Sequence, residues 1–313
     1  MIKAQANVNI ALIKYWGKKD EVLFLPYTSS LSLTLDNLYT ITSVEKISNH
    51  SDIFILDDKL MSQAETIKVS KFIDFFRTDQ KRLKITSHNN FPTAAGLASS
   101  ASGYAALATA LNRLYRLNLN KSDLSKLTRL GSGSASRSLF DKFAVWQTGD
   151  NETSQAYHLA SDLDIEMIIV IIDEKKKSFS SRDMMKKTVE QSRYYQAFVK
   201  QSENDFKAII KAIADLDINL VGQIAERNAF MMHGTMLALD EPFLYLKPES
   251  FQVIEFVREL RNSGLVAYLT MDAGPNLKII TDSKNSSLVL EKLSNEFSYQ
   301  LIHSRPGKGS LIL

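Results

Sequence analysis

Residues Pro92-Thr-Ala-Ala-Gly-Leu-Ala-Ser-Ser-Ala-Ser-Gly103 lead without a break into an alanine- and leucine-rich stretch that ends near Tyr115. Proline closes whatever precedes it, and the small residues after it let backbone approach a ligand closely. Helix propensity is strong over residues 98–115, so the segment predicts a loop that opens into a helix. Such a helix start offers unbonded N–H groups and the positive end of a dipole, which together form a ready anion site. Ser99, Ser100 and Ser102 add hydroxyl donors. Taken alone, the same residues equally describe a small-residue helix start packed on a sheet.

On the N-terminal side, residues 8–16, 30–35, 39–44, 53–56 and 83–87 alternate or are β-branched and predict strands, while 67–76 predicts an amphipathic helix. On the C-terminal side, 122–130 predicts a helix capped by Ser122, and 131–138 a glycine-serine loop. Residues 143–146 are apolar, and strands are expected at 165–172, 266–271 and 276–280, the last two around a Gly-Pro turn. Helices are expected over 183–214, broken once, and over 220–232, 251–262 and 286–297. Strands and helices mix in both halves, which predicts the α+β class. The charged stretch 173–177 is the softest boundary and divides the chain into 1–178 and 179–313.

The 313 residues are 44% hydrophobic and 23% charged, an ordinary globular balance. No cysteine is present, which excludes disulfides, thiolate-held metals and a Cys nucleophile. A net charge of +3, with acids and bases interspersed, argues against a nucleic-acid partner. The apolar run at residues 10–13 is too short for a signal or membrane segment, so a cytoplasmic protein with no membrane partner is expected. No Walker A loop, G-x-S-x-G elbow or H-E-x-x-H pair occurs. The five histidines stand singly and are expected to be structural or on the surface.

Three further segments repeat or complement the helix start. Gly131-Ser-Gly-Ser-Ala-Ser-Arg137-Ser is a second small, hydroxyl-rich loop with one arginine, whose planar fork suits a carboxylate or phosphate. Met271-Asp272-Ala-Gly-Pro-Asn276 places an acid at a strand end, where it is either a turn residue or a catalyst facing a cleft. Asn9-Ile-Ala-Leu-Ile-Lys-Tyr-Trp-Gly-Lys-Lys-Asp20 is a strand that runs into an aromatic and cationic cluster.

In this order, NIALIKYWGKKD, PTAAGLASSASGYAAL, GSGSASRS and MDAGPNLKI resemble the diphosphomevalonate decarboxylase family of the GHMP superfamily. The glycine-serine helix start is shared across that superfamily, whereas KYWGK and SGSASRS are specific to the decarboxylase branch. The resemblance covers essentially the whole chain. It implies a two-lobed GHMP-kinase-like fold, with a ribosomal-protein-like, ATP-binding N-terminal lobe and a ferredoxin-like C-terminal lobe. It also implies ATP and Mg²⁺ as cofactors, mevalonate 5-diphosphate as substrate and a homodimer.

By the same resemblance, Gly96, Leu97, Ala98, Ser99, Ser100, Ala101 and Ser102 would line the ATP phosphates. Ser99 would orient the transferring phosphoryl group and is a candidate magnesium contact. Tyr15, Lys18, Ser132, Ser181 and Arg182 match the residues that hold the substrate diphosphate. Ser134 and Arg137 match groups facing the substrate, with Arg137 on its carboxylate. Asp272 matches the catalytic aspartate, and Asn9 and Lys14 lie beside the reacting hydroxyl. The nearest other outcomes on this fold are a small-molecule kinase, such as a mevalonate 3-kinase or homoserine kinase, and a non-catalytic regulator.

Overall fold

The computed structural model describes residues 1–91, 99–174 and 179–313. Gly96, Leu97 and Ala98 of the expected phosphate loop lie outside the described residues.

Strand β1 (Ile2–Ile13) enters a short hairpin, β2 (Lys18–Asp20) and β3 (Leu25–Pro26), and then the long strand β4 (Ser30–Ile47). A second hairpin follows, β5 (Ile53–Leu56) and β6 (Lys59–Leu60), then helix α1 (Gln63–Ile73), strand β7 (Arg82–Asn89), and helices α2 (Ser99–Leu114) and α3 (Lys121–Thr128). A 3₁₀ turn over Gly133–Leu139 leads to β8 (Phe143–Trp146), β9 (Ala156–Leu159) and β10 (Glu166–Ile171). Four helices follow: α4 (Ser181–Gln191), α5 (Tyr195–Ala214), α6 (Ile218–Leu237) and α7 (Pro248–Asn262). The chain ends with β11 (Tyr268–Met271), β12 (Leu277–Thr281), α8 (Ser286–Glu296), β13 (Gln300–Ser304) and β14 (Leu311–Ile312).

The first sheet runs β14-β1-β4-β7-β5-β6, with β8 paired to β4 and β9 to β8. The second runs β11-β12-β10-β13 and is antiparallel throughout. The exchange of strands is mutual, because β10 pairs in the second sheet and β14 returns to pair with β1 in the first. Mixed strands and helices in two lobes give the α+β fold expected from the sequence.

Helix α2 lies on β1 and β4 because its inner face is small. Ala101, Ser102, Ala105, Ala106, Ala108 and Ala110 are all buried, which brings the helix axis close to the sheet. A register shift in the pairing of β1 with β4, between Asn7 and Asn9, changes what the strand packs against. Before it, Ala4 and Ala6 join the core beneath α2; after it, Val8, Ile10 and Leu12 join the core shared with β10, α5 and α6. Bulges of this kind re-aim side chains next to functional sites.

The cap of α3 is Asn120, not Ser122, because the Asn120 side chain accepts the Asp123 N–H and the helix begins one residue before Ser122. Residues 30–35 and 39–44 form one strand, since the pairing with β1 continues through the bulge. The 131–138 loop is a 3₁₀ turn whose glycines are demanded by packing. A Cβ at Gly131 would meet the Tyr104 ring at 2.3 Å, and one at Gly133 would meet Trp146 and Tyr15 at 2.8 Å. Strands β9, β13 and β14 were not expected, being short and weakly patterned.

The end of β1 is held by the second lobe. Asn228 of α6, fully buried, accepts the Lys14 N–H at 2.8 Å, and its own amide donates to Ser202 Oγ and Asp205 Oδ2, both at 3.1 Å. Asn228→Ala removes three hydrogen bonds at a buried site and should destabilise the protein by about 2 kcal/mol. Urea unfolding of the two proteins measures the difference; a change within the error of the extrapolation would show that the contact is dispensable.

Candidate active site

Four elements converge where β1 ends. The turn after β1 is fixed by α5, whose Tyr195 hydroxyl donates to Trp16 O at 2.9 Å. Gly17 takes φ +99°, and a Cβ there would overlap the Tyr195 hydroxyl at 1.9 Å, so glycine is required on both counts. This places Lys14 and Tyr15 directly after β1 and Lys18 at the start of β2.

Asp272 follows the last residue of β11, in a turn closed by the Gly274 N–H bonding to Asp272 O at 2.8 Å. Its two oxygens are taken by different lysines: Oδ1 by Lys14 Nζ at 2.9 Å and Oδ2 by Lys278 Nζ at 3.2 Å. The lysine side chains are 2% and 1% exposed, while that of Asp272 is 24% exposed, so the carboxylate is the open member of the trio. Burial alone would raise the Asp272 pKa, but the two ammonium groups outweigh it and hold the carboxyl well below the usual range. Burial lowers Lys14 to about 8; Asp272 works against that shift, while Lys278 and Arg137 reinforce it. His233 on α6 is buried in the same field and is pushed down to about 4, by burial first and then by Lys14.

Arg137 projects from the 3₁₀ turn and is 2% exposed. One Nη donates to Ser30 Oγ, and its Nε has no partner among the described residues. Burial lowers its pKa to about 10, with Asp272 and then Tyr15 opposing. Asn9 uses its amide nitrogen on Ser134 O (3.0 Å) and Ser138 Oγ (2.8 Å), which leaves its buried Oδ1 without a partner among the described residues. The Tyr15 hydroxyl is likewise buried and unpartnered there, its ring edge-on to Trp146 at 4.8 Å. Buried polar atoms are nearly always satisfied, so a group of unpaired donors and acceptors beside one carboxylate marks ground for a polar ligand.

The two serine loops meet. Ser100 Oγ, in the first turn of α2, lies 3.4 Å from Ser132 Oγ, which is 3.3 Å from Ser134 Oγ. Ser102 is turned away from this row and bonds Thr40 Oγ1 at 2.7 Å. Ala101 is fully buried and contributes packing. Ser99 is the first described residue of α2, at the positive end of the helix dipole.

The second cationic group is at the hairpin. Lys18 Nζ pairs with Glu21 Oε2 at 2.6 Å and lies 4.2 Å from the Phe24 ring centroid. The Arg182 guanidinium carbon is 5.3 Å from the same ring, and its charge reaches Tyr15. Ser180 caps α4 by accepting the Asp183 N–H and donating to its carboxylate, which leaves Ser181 and Arg182 as the first residues of the helix. Residues from all four motifs are thus linked by contacts into one group, from which Ala101 and Ser102 are excluded by their burial on the inner face of α2.

Lys278, Phe24 and Asn228 were not picked out from the sequence. Lys278 stood inside the MDAGPNLKI motif as a single charge within an apolar strand, a signal that a covered sheet makes meaningful. Phe24 and Asn228 carried no signal.

A diphosphomevalonate decarboxylase-like N-terminal domain model matches residues 6–158, and a mevalonate 5-diphosphate decarboxylase C-terminal domain model matches residues 167–308. Diphosphomevalonate decarboxylase from Candida albicans is 37% identical over 94% of this chain and 88% of its own. A structure of the mevalonate diphosphate decarboxylase from Enterococcus faecalis is 44% identical, covers 100% of this chain and 98% of its own, and superposes with a TM-score of 0.94. A structure of MDDEF in complex with MVAPP, AMPPCP and magnesium gives 44% identity, the same coverage and a TM-score of 0.95. Matched in both halves and over nearly its whole length, the protein belongs to the diphosphomevalonate decarboxylase family.

Proposed function

We propose that the enzyme converts mevalonate 5-diphosphate and ATP into isopentenyl diphosphate, ADP, phosphate and CO2, and that the residues around Asp272 carry out this reaction. The observation that carries the assignment is the buried charge balance: Lys14, Lys278 and Arg137 face one carboxylate, Asp272. A surplus of buried positive charge is costly unless an anion completes it. The substrate brings a carboxylate and a diphosphate, and ATP brings three phosphates.

Hydroxide leaves poorly, so the tertiary 3-hydroxyl of the substrate must first become a phosphate. Asp272, ionised at all ordinary pH, accepts a hydrogen bond from that hydroxyl and fixes its direction. With so low a basicity it acts as a placed acceptor and a negative charge, and the hydroxyl proton passes to the more basic transferred phosphate as the new O–P bond forms and the bond to ADP breaks. Arg137 holds the substrate carboxylate through the guanidinium edge that Ser30 does not use. As phosphate departs, C3 becomes electron-poor, and the aligned carboxylate supplies the electrons by losing CO2. Lys18, Arg182, Tyr15, Ser132 and Ser181 bind the diphosphate, which does not react. Asn9 and Ser134 line the space between the two groups. Glu21, paired with Lys18, must release it when the diphosphate arrives.

Ser99 and Ser100 stand where the ATP phosphates meet the start of α2. No cluster of three His, Asp or Glu suited to a metal exists among the described residues. Magnesium prefers oxygen donors, chiefly phosphate and water, and the serine hydroxyls fit that preference with Ser99 in first place. When bound, it would neutralise phosphate charge during transfer.

The division into an ATP-binding lobe, 1–178, and a C-terminal lobe, 179–313, belongs to the same proposal, with β10 and β14 exchanged between the sheets. So do a homodimer and a cytoplasmic location. No described helix is long and apolar enough to cross a membrane.

Incubation with ATP, Mg²⁺ and mevalonate 5-diphosphate should release ADP and CO2 in equal amounts. ADP without CO2 would instead identify a kinase. Asp272→Asn should lower kcat roughly 10³-fold with substrate binding largely kept; a variant above a tenth of wild-type turnover would remove Asp272 from this role. Lys18→Ala and Arg182→Ala should mainly raise KM for the diphosphate, while Arg137→Lys, which loses the planar fork, should lower kcat. Effects confined to KM in all three would erase that separation of roles. The Lys14 ammonium holds Asp272 in place and has a pKa of about 8 in the ligand-free protein, so kcat/KM should be level below that value and fall as pH rises through it. A profile level to pH 10 would show that the charge on Lys14 is not needed.

A further inference from the structure

Lys278 lies on β12, between β11 and β10, opposite Thr270 on one side and Ile169 on the other. It is among the most deeply buried large side chains in the protein. Desolvating an ammonium group costs several kcal/mol unless it is paired well. Its partner is Asp272 Oδ2 at 3.2 Å, with a second bond to Asn276 O at 3.3 Å. Thr270, its neighbour across the strands, donates to Ala11 O, the same carbonyl that Lys14 Nζ bonds at 2.9 Å. Lys278 and Lys14 therefore approach Asp272 from two lobes, each on its own oxygen.

One lysine would suffice to keep the carboxylate ionised, but it would leave the group free to turn about its bond to Cβ. Two cations on opposite oxygens remove that freedom. We propose that Lys278 is a positioning residue for the reaction: with Lys14 it locks the plane of the Asp272 carboxylate, so that the open edge of Asp272 meets the reacting hydroxyl in one orientation. This rests on the reading of Asp272 given above. A lysine that only tied the lobes together would act on stability and leave turnover alone.

Lys278 also acts on Lys14 by like-charge repulsion. The charged and titratable groups that face Lys14 are Asp272 from the turn after β11, Lys278 from β12, Arg137 from the 3₁₀ turn and His233 from α6. Burial does most to lower the Lys14 pKa and Lys278 and Arg137 add to it, so removing Lys278 should raise it. The alkaline limb of the rate profile should then move to higher pH.

The test compares Lys278→Met, which keeps the length and loses the charge, with Lys278→Gln, which can still donate to Oδ2, and runs Asp272→Asn beside them. Thermal unfolding is measured first, and the Gln variant carries the test if the Met variant folds poorly. For Lys278→Met, kcat should fall about 10- to 100-fold, as expected for one lost hydrogen bond to a charged group. KM for mevalonate 5-diphosphate and for ATP should stay within about threefold. The alkaline limb should move up by about one pH unit. Lys278→Gln should recover part of kcat while its alkaline limb stays displaced. Unchanged kcat and an unmoved limb, with only the melting temperature altered, would overturn the proposal and leave Lys278 a structural tie. A raised KM for ATP at constant kcat would overturn it in favour of nucleotide binding. An active Asp272→Asn enzyme would overturn both this proposal and the role of Asp272, whereas an inactive one beside a normal Lys278→Met would overturn this proposal alone.

Discussion

The ion pair between Lys14 and Asp272 spans the two lobes, and the rest of the site is arranged around it. Lys14 comes from the end of the first strand, Asp272 from a turn more than 250 residues later in the chain. A buried ammonium without a counter-ion is not tolerated, so the lobes must close to a geometry that brings these two groups together. That requirement explains why the end of β1 is so heavily fixed. Asn228 takes the Lys14 N–H, Tyr195 takes the carbonyl of Trp16, and Thr270 reaches Ala11 O from the second sheet. Each contact crosses between lobes, and each lies within a few residues of the lysine.

This arrangement works against stability on one side and for it on the other. Asp272 is held below its ordinary pKa, so it favours the folded state above the value it has when unfolded, and that gain is lost as pH falls through the folded value. Lys14 is also depressed, from 10.5 to about 8, and for a base the sign differs. Its charge is disfavoured by folding; the penalty is complete below about 8 and disappears above the value for free lysine. Lys278 and Arg137 contribute to that penalty. A site tuned only for stability would not gather three buried cations around one acid, whereas a site that awaits a carboxylate and several phosphates would.

Much of this was legible in the sequence. The helix start, the GSGSASRS turn, the KYWGK segment and MDAGP each announced polar chemistry by small residues and charges where a core would have apolar ones. Their convergence was not legible, because it depends on the strand exchange that places β10 in the second sheet and returns β14 to the first. Lys278 shows the limit most clearly. Alternation along a strand normally assigns a lone lysine between apolar neighbours to the solvent face. Here β12 is buried on both faces, so the outward position became an inward one facing β1. Serine is a common cap, which points to Ser122, but Asn120 accepts the Asp123 N–H and starts the helix earlier. The roles of Phe24 and Asn228 depend on neighbours remote in sequence, which no local pattern encodes.

Two lysines keep the Asp272 carboxylate ionised and fixed, and the rest of the site depends on this. The most direct measurement is a ¹³C NMR titration of the Asp272 side-chain carboxyl in protein labelled at aspartate, with Asp272→Asn to identify the signal. The resonance should stay at the ionised position down to the lowest pH at which the protein remains folded. A titration midpoint at or above about 4, the value of an ordinary aspartate, would contradict the account, because the lysines would then not govern the carboxylate.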